Sequence, residues 1–122
     1  MKSILVVEDD PDYRRSLEQI LTKSGFATVQ AANGREALST YDPATIDAVV
    51  LDLIMPEIEG IETLTKLRRA VPEVKVLAIS GGGQIGAKNY LELAAKLGAK
   101  ETLAKPFSAE AFIGALKRVL GV

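Results

Sequence analysis

Five residues able to do chemistry stand directly after short apolar runs. They are Glu8 and Asp9 after Ile4–Val7, Asp52 after Ala48–Leu51, Ser80 after Val74–Ile79, and Lys105 after Thr102–Ala104. Singly, each has an ordinary explanation: Asp9 and Asp10 suit a helix start, Ser80 a turn, and Lys105-Pro106 a solvated turn. Four reactive run ends out of five, of complementary charge, point instead to one shared site. Carboxylates, a hydroxyl and an ammonium offer a nucleophile, hard oxygen ligands for a cation, and donors for a dianion. The 122 residues contain neither His nor Cys. That closes off Ser-His-Asp and Cys-His catalysis, His-ligated zinc, thiolate metal sites and disulfides.

These residues need elements to carry them. Ile4-Leu5-Val6-Val7 reads as a strand buried on both faces. Asp10-Pro11 opens a helix with Tyr13, Leu17, Ile20 and Leu21 at helical spacing, closed by Gly25. Ala27–Ala31 is a second strand, Asn33 caps a short helix through Tyr41, and Ala48–Leu51 is a third strand. Ile61, Leu64, Leu67 and Val71 mark a helix stopped by Pro72, and Val74–Ile79 a fourth strand. Tyr90, Leu93, Ala94 and Leu97 line the next helix, Thr102–Ala104 is a fifth strand, and Ser108 caps a last helix carrying Phe112, Leu116, Val119 and Leu120. Five β–α units over residues 1–122 predict one α/β domain: a flavodoxin-like, doubly wound, five-stranded parallel sheet, order 2-1-3-4-5, with helices on both faces. A closed eight-unit barrel would need about twice the length.

In such a sheet the chemistry lies beyond the carboxyl ends of the strands. Strands one and three are neighbours, so Asp9 and Asp52 would face each other across about 4.8 Å. Two carboxylates that close repel by roughly 4 kcal/mol at an effective dielectric near 20, which a shared proton or a cation must offset. Oxygen donors alone suit Mg²⁺. Ser80 lies one strand over, and Lys105 about 9.6 Å from Asp52, within reach if its side chain leans inward. Asp52 can then act as a nucleophile forming an aspartyl phosphate, with the cation and Lys105 neutralising the transferred group.

The segments Ile4–Asp10 (ILVVEDD), Val49–Pro56 (VVLDLIMP), Ala78–Gly81 (AISG) and Lys105–Phe107 (KPF) together resemble a response-regulator receiver domain of two-component signalling, over the whole chain. The resemblance implies that Asp9 binds Mg²⁺ directly, Glu8 acts mainly through water, and the backbone carbonyl of Ile54 completes the protein ligands beside Asp52, the phosphoacceptor. It implies that Ser80 is the switch hydroxyl and Lys105 the phosphoryl contact, aimed inward by a cis peptide before Pro106. It also implies a histidine kinase or histidine phosphotransfer protein as donor and a downstream protein as target. The family's switch aromatic is replaced by Thr102, so output is expected through the Gly81–Gly86 loop. Ile54 stands where many receivers carry a polar residue, which predicts a long-lived phosphoryl group.

Other features point to no second site. Gly81–Gly86 fits G-x-G-x-x-G, but it follows the fourth strand and the next strand ends in Lys105 rather than an acid. Lys66, Arg68 and Arg69 read as a solvated face, and Leu91 with Ala95 as either filler or a small partner patch. Net charge is −1, no segment approaches a membrane span, and no basic field exists for nucleic acid. A cytoplasmic, stand-alone receiver that is not a conventional enzyme is the leading expectation. A phosphorylation-independent binding module and a haloacid-dehalogenase-like phosphohydrolase are the alternatives, although the latter normally has a second Asp where Ile54 stands.

Overall fold

The computed structural model describes residues 1–54, 59–81 and 85–122, with residues 85–89 described by their backbone alone. Ten elements alternate strictly: β1 Ser3–Val7, α1 Pro11–Lys23, β2 Ala27–Ala31, α2 Gly34–Thr40, β3 Ala48–Asp52, α3 Glu59–Ala70, β4 Val76–Ser80, α4 Ile85–Lys96, β5 Glu101–Ala104 and α5 Ala109–Leu120. The strands form one parallel sheet in the order β2-β1-β3-β4-β5, as the alternation of runs predicts. No helix among the described residues is long and apolar enough to cross a membrane.

Successive side chains of a strand point to opposite faces, so each continuous apolar run feeds two cores. Leu5, Val7, Val49, Leu51, Val76 and Ala78 pack with Ala37, Leu64, Leu67 and Ala94 of α2, α3 and α4. Ile4, Val6, Val50, Leu77 and Ile79 pack with Leu17 and Leu21 of α1 and Phe112, Leu116 and Val119 of α5. Full burial of one such side chain contributes about 1.5–3 kcal/mol, so the two cores hold the sheet rigid behind the strand ends.

The helix starts follow their capping residues. Asp10 accepts from the N–H groups of Asp12 and Tyr13, with Pro11 at the first helical position. Asn33 accepts from Glu36, and Ser108 from Ala111.

Three local expectations are corrected. Strand β4 begins at Val76 rather than Val74, because the Val74 N–H bonds the Val71 carbonyl in the turn after Pro72. Along α4 the inward residues are Tyr90, Leu91, Ala94 and Leu97, whereas Leu93 is exposed. Leu91 is therefore core filler, and only Ala95 of the suspected patch is exposed. Arg68 is not merely solvated: its guanidinium donates to the carbonyls of Leu97 and Pro72, tying the end of α3 to the end of α4. Residues Met55–Pro56 of the second motif and Gly82–Gln84 of the glycine loop lie outside the described residues.

Candidate functional site

The ladder carries the site residues past the strand ends. Val7 is in register with Leu51, Asp52 with Ile79, and Ser80 with Ala104. Backbone bonds continue one residue further: Glu8 N–H to the Ala31 carbonyl (3.1 Å), Leu53 N–H to Ile79 (2.9 Å), and Lys105 N–H to Ser80 (2.8 Å). The backbones bearing Glu8, Asp52, Ser80 and Lys105 are thus fixed by the sheet rather than by loops, which suits a site whose groups must stay in place.

The side chains meet. One oxygen from each of Glu8, Asp9 and Asp52 lies within 4.8 Å of the others. Lys105 leans inward, its Nζ 3.1 Å from Glu8 Oε1 and 3.4 Å from Asp52 Oδ2. The peptide bond between Lys105 and Pro106 is cis. Asp52 Oδ1 accepts from the Ile54 N–H at 3.1 Å. Glu8 and Asp52 are buried, Asp9 is exposed, and Ile54 lies at the mouth with 43% of its surface exposed. Ser80 is fully buried, and its Oγ has no hydrogen-bond partner among the described residues. Thr102 lies on β5 beside Ala78, half-buried.

Burial, reinforced by the Asp52 charge, pushes the Glu8 carboxyl up to about 7, and the Asp10 N–H and Lys105 only partly oppose this. Attraction to Lys105 therefore loses to desolvation plus like charge. For Lys105 the balance is reversed. Burial pulls its ammonium down, but Asp52 and Glu8 together hold it above the ordinary lysine range.

Sequence reasoning missed Tyr13, Arg14 and Gly60, which help build this arrangement, and singled out Gly81 only within the AISG segment and the glycine loop. Tyr13, taken only as part of a helical stripe, places its ring centroid 4.1 Å from Lys105 Nζ. Arg14 donates from Nη1 to the Glu8 carbonyl at 2.7 Å, bracing the acidic strand end. A Cβ on Gly60 would lie 2.6 Å from the Leu53 carbonyl oxygen and 2.7 Å from that of Asp52, so only glycine lets α3 start against the Asp52 backbone. A Cβ on Gly81 would lie 2.8 Å from Lys105 Cδ, so the lysine stem runs directly over it. The first two were findable from their place in the first turn of α1, just beyond the acids. Gly60 carries no local signal, since the contact it allows is tertiary, and the motif around Gly81 does not tell that the Lys105 stem crosses it.

The donor set fits a hard divalent cation: three carboxylates converge, two of them buried, and a single ammonium cannot neutralise all three. Such a site at a parallel-sheet switch point, with a buried hydroxyl and lysine beside the acids, is the frame against which known proteins compare.

Residues 4–117 match the family model described as response regulator receiver domain. The chain is 37% identical over 119 residues to chemotaxis protein CheY of Listeria monocytogenes, covering 97% of this chain and 98% of that protein. It is 31% identical to sporulation initiation phosphotransferase F of Bacillus subtilis, covering 98% and 94%. Among solved structures it is similar to the response regulator protein TrrA of Thermotoga maritima in complex with Mg²⁺-BeF, with TM-score 0.85, 30% identity, and coverage of 98% and 100%. Strand order, convergent acids and whole-length similarity agree: this chain belongs to the response regulator receiver domain family.

Proposed function

We propose that this receiver takes a phosphoryl group onto Asp52 from a phosphohistidine of a partner protein, a histidine kinase or a histidine phosphotransfer protein. The observation that carries this reading is the Lys105 ammonium held between buried Glu8 and Asp52, with the buried hydroxyl of Ser80, which has no hydrogen-bond partner among the described residues, on the neighbouring strand. An Asp52 oxygen attacks phosphorus as the P–N bond breaks, and the departing imidazole nitrogen keeps the electron pair and takes a proton from water. Lys105 exchanges a carboxylate partner for a phosphoryl oxygen, and Ser80 donates to a second. The donor imidazole is not among these 122 residues, which hold no His.

Glu8, Asp9, Asp52 and the carbonyl of Ile54 are the residues proposed to hold Mg²⁺. Bound there, it would supply charge neutralisation for the acids and the incoming dianion. A relative named as a phosphotransferase and a neighbour solved with Mg²⁺-BeF support this reading. The phosphorylated form then binds a downstream protein differently from the unmodified one.

Intact-mass measurement after incubation with Mg²⁺ and a small phosphodonor tests the proposal. One phosphoryl adduct, absent from Asp52→Asn, is expected. Turnover of donor without an adduct would favour a hydrolase, and no reaction a phosphorylation-independent binding module.

A further inference from the structure

The transfer asks something awkward of Lys105. Its ammonium has three donor hydrogens and, before transfer, two carboxylate partners. When Asp52 becomes an acyl phosphate, one of those partners loses its charge and a phosphoryl oxygen must replace it. A long, flexible lysine that merely followed the strongest negative charge would sample other positions during this exchange.

The third neighbour of the ammonium does not change. Tyr13 sits in the first turn of α1, its backbone N–H drawn to the Asp10 cap and its ring partly buried against the core beneath α1 and α5. Its ring lies under Lys105 Nζ at 4.1 Å, inside the range in which an aromatic face attracts a cation. On the other side the lysine stem crosses Gly81, where a methyl group would intrude. The side chain thus runs in a slot with Gly81 along its stem and the Tyr13 face at its head. An aromatic face attracts the ammonium without cancelling its charge, whereas a carboxylate in the same place would do both. Burial also raises the Tyr13 hydroxyl above its ordinary range, so the ring stays neutral at the pH of the reaction.

We propose that Tyr13 is a positioning residue for phosphoryl transfer, its ring face holding the Lys105 ammonium over Asp52 while the charges around that ammonium change. This inference rests on the proposed role of Lys105 at Asp52. The ring belongs to the acceptor side of the reaction, so it acts with any phosphodonor.

The experiment compares the 122-residue protein with Tyr13→Phe, Tyr13→Leu, Lys105→Met and the Tyr13→Leu/Lys105→Met double variant. The Nζ resonance of Lys105 is observed by ¹⁵N NMR, and adduct formation from acetyl phosphate is followed with Mg²⁺. The ring is expected to displace the Lys105 resonance in the parent and in Tyr13→Phe, and Tyr13→Leu to abolish that displacement. Phosphorylation should slow about fivefold in Tyr13→Leu and recover in Tyr13→Phe. In the Lys105→Met background Tyr13→Leu should add nothing, because a residue acting through Lys105 has no target there. A parent-like rate and resonance in Tyr13→Leu would overturn the inference while leaving the proposed function standing. Equal slowing with and without Lys105 would mean that Tyr13 is only structural, which also overturns it. A parent protein that forms no adduct would instead overturn the proposed function and this inference with it.

Discussion

Replacing Lys105 with Met keeps a stem of similar length over Gly81 but removes the cation that Glu8 and Asp52 share. At an effective dielectric near 20, attraction over 3.1 Å to Glu8 and 3.4 Å to Asp52 amounts to about 5 kcal/mol each. The ammonium's own desolvation takes back several kcal/mol, so the net loss is expected near 3–5 kcal/mol at pH 8. Below about pH 7 the Glu8 carboxyl binds a proton and ceases to need the partner, so the loss should shrink at pH 5. Adding Mg²⁺ at pH 8 should also shrink it, because the metal would balance the same acids. Urea unfolding followed by far-UV circular dichroism measures all three conditions. A loss below about 1 kcal/mol at pH 8, or an equal loss at pH 5 and pH 8, would refute the electrostatic reasoning.

In the metal-free protein Glu8 binds its proton more tightly folded than unfolded. Its stabilising contribution is therefore complete below 4.5 and is lost as pH rises toward about 7. That is a fall of about 3 kcal/mol, visible as a drop in urea midpoint across the window. Gly60→Ala should destabilise by about 1–3 kcal/mol in the same assay, since the new methyl meets the backbone of Asp52 and Leu53 rather than a movable side chain. Ile54→Asn at the exposed mouth should speed loss of the phosphoryl group about fivefold, by offering the attacking water a hydrogen bond; an unchanged decay of the mass adduct would contradict this.

The strand ends were legible because a parallel sheet converts chain order into spatial order. Once Glu8, Asp52, Ser80 and Lys105 each follow a buried run, the topology brings them together. The spacing estimate left Lys105 too far from Asp52 unless it leaned inward, and the structure has it doing so, between two acids and a ring. What the sequence hid were packing decisions. Leu91 and Leu93 are two residues apart with the same side chain, and only the seating of α4 on the sheet says which one is inside. Arg68 looked like a surface charge because its acceptors are backbone carbonyls, which carry no residue identity. Gly60 and Gly81 matter through atoms more than five residues away or on another strand, where no local pattern reaches.

The strand order also has a meaning for a chain being made. All three acids lie within the first 52 residues, at the carboxyl ends of β1 and β3, while the hydroxyl and the ammonium arrive with β4 and β5, added one after the other at the same edge. A nascent chain that has emerged only as far as β3 carries the site's carboxylates without Lys105, the ammonium that bridges Glu8 and Asp52. The last strand of the chain, at the edge of the sheet, carries the counter-charge, so the site gains Lys105 only once the whole sheet has been made.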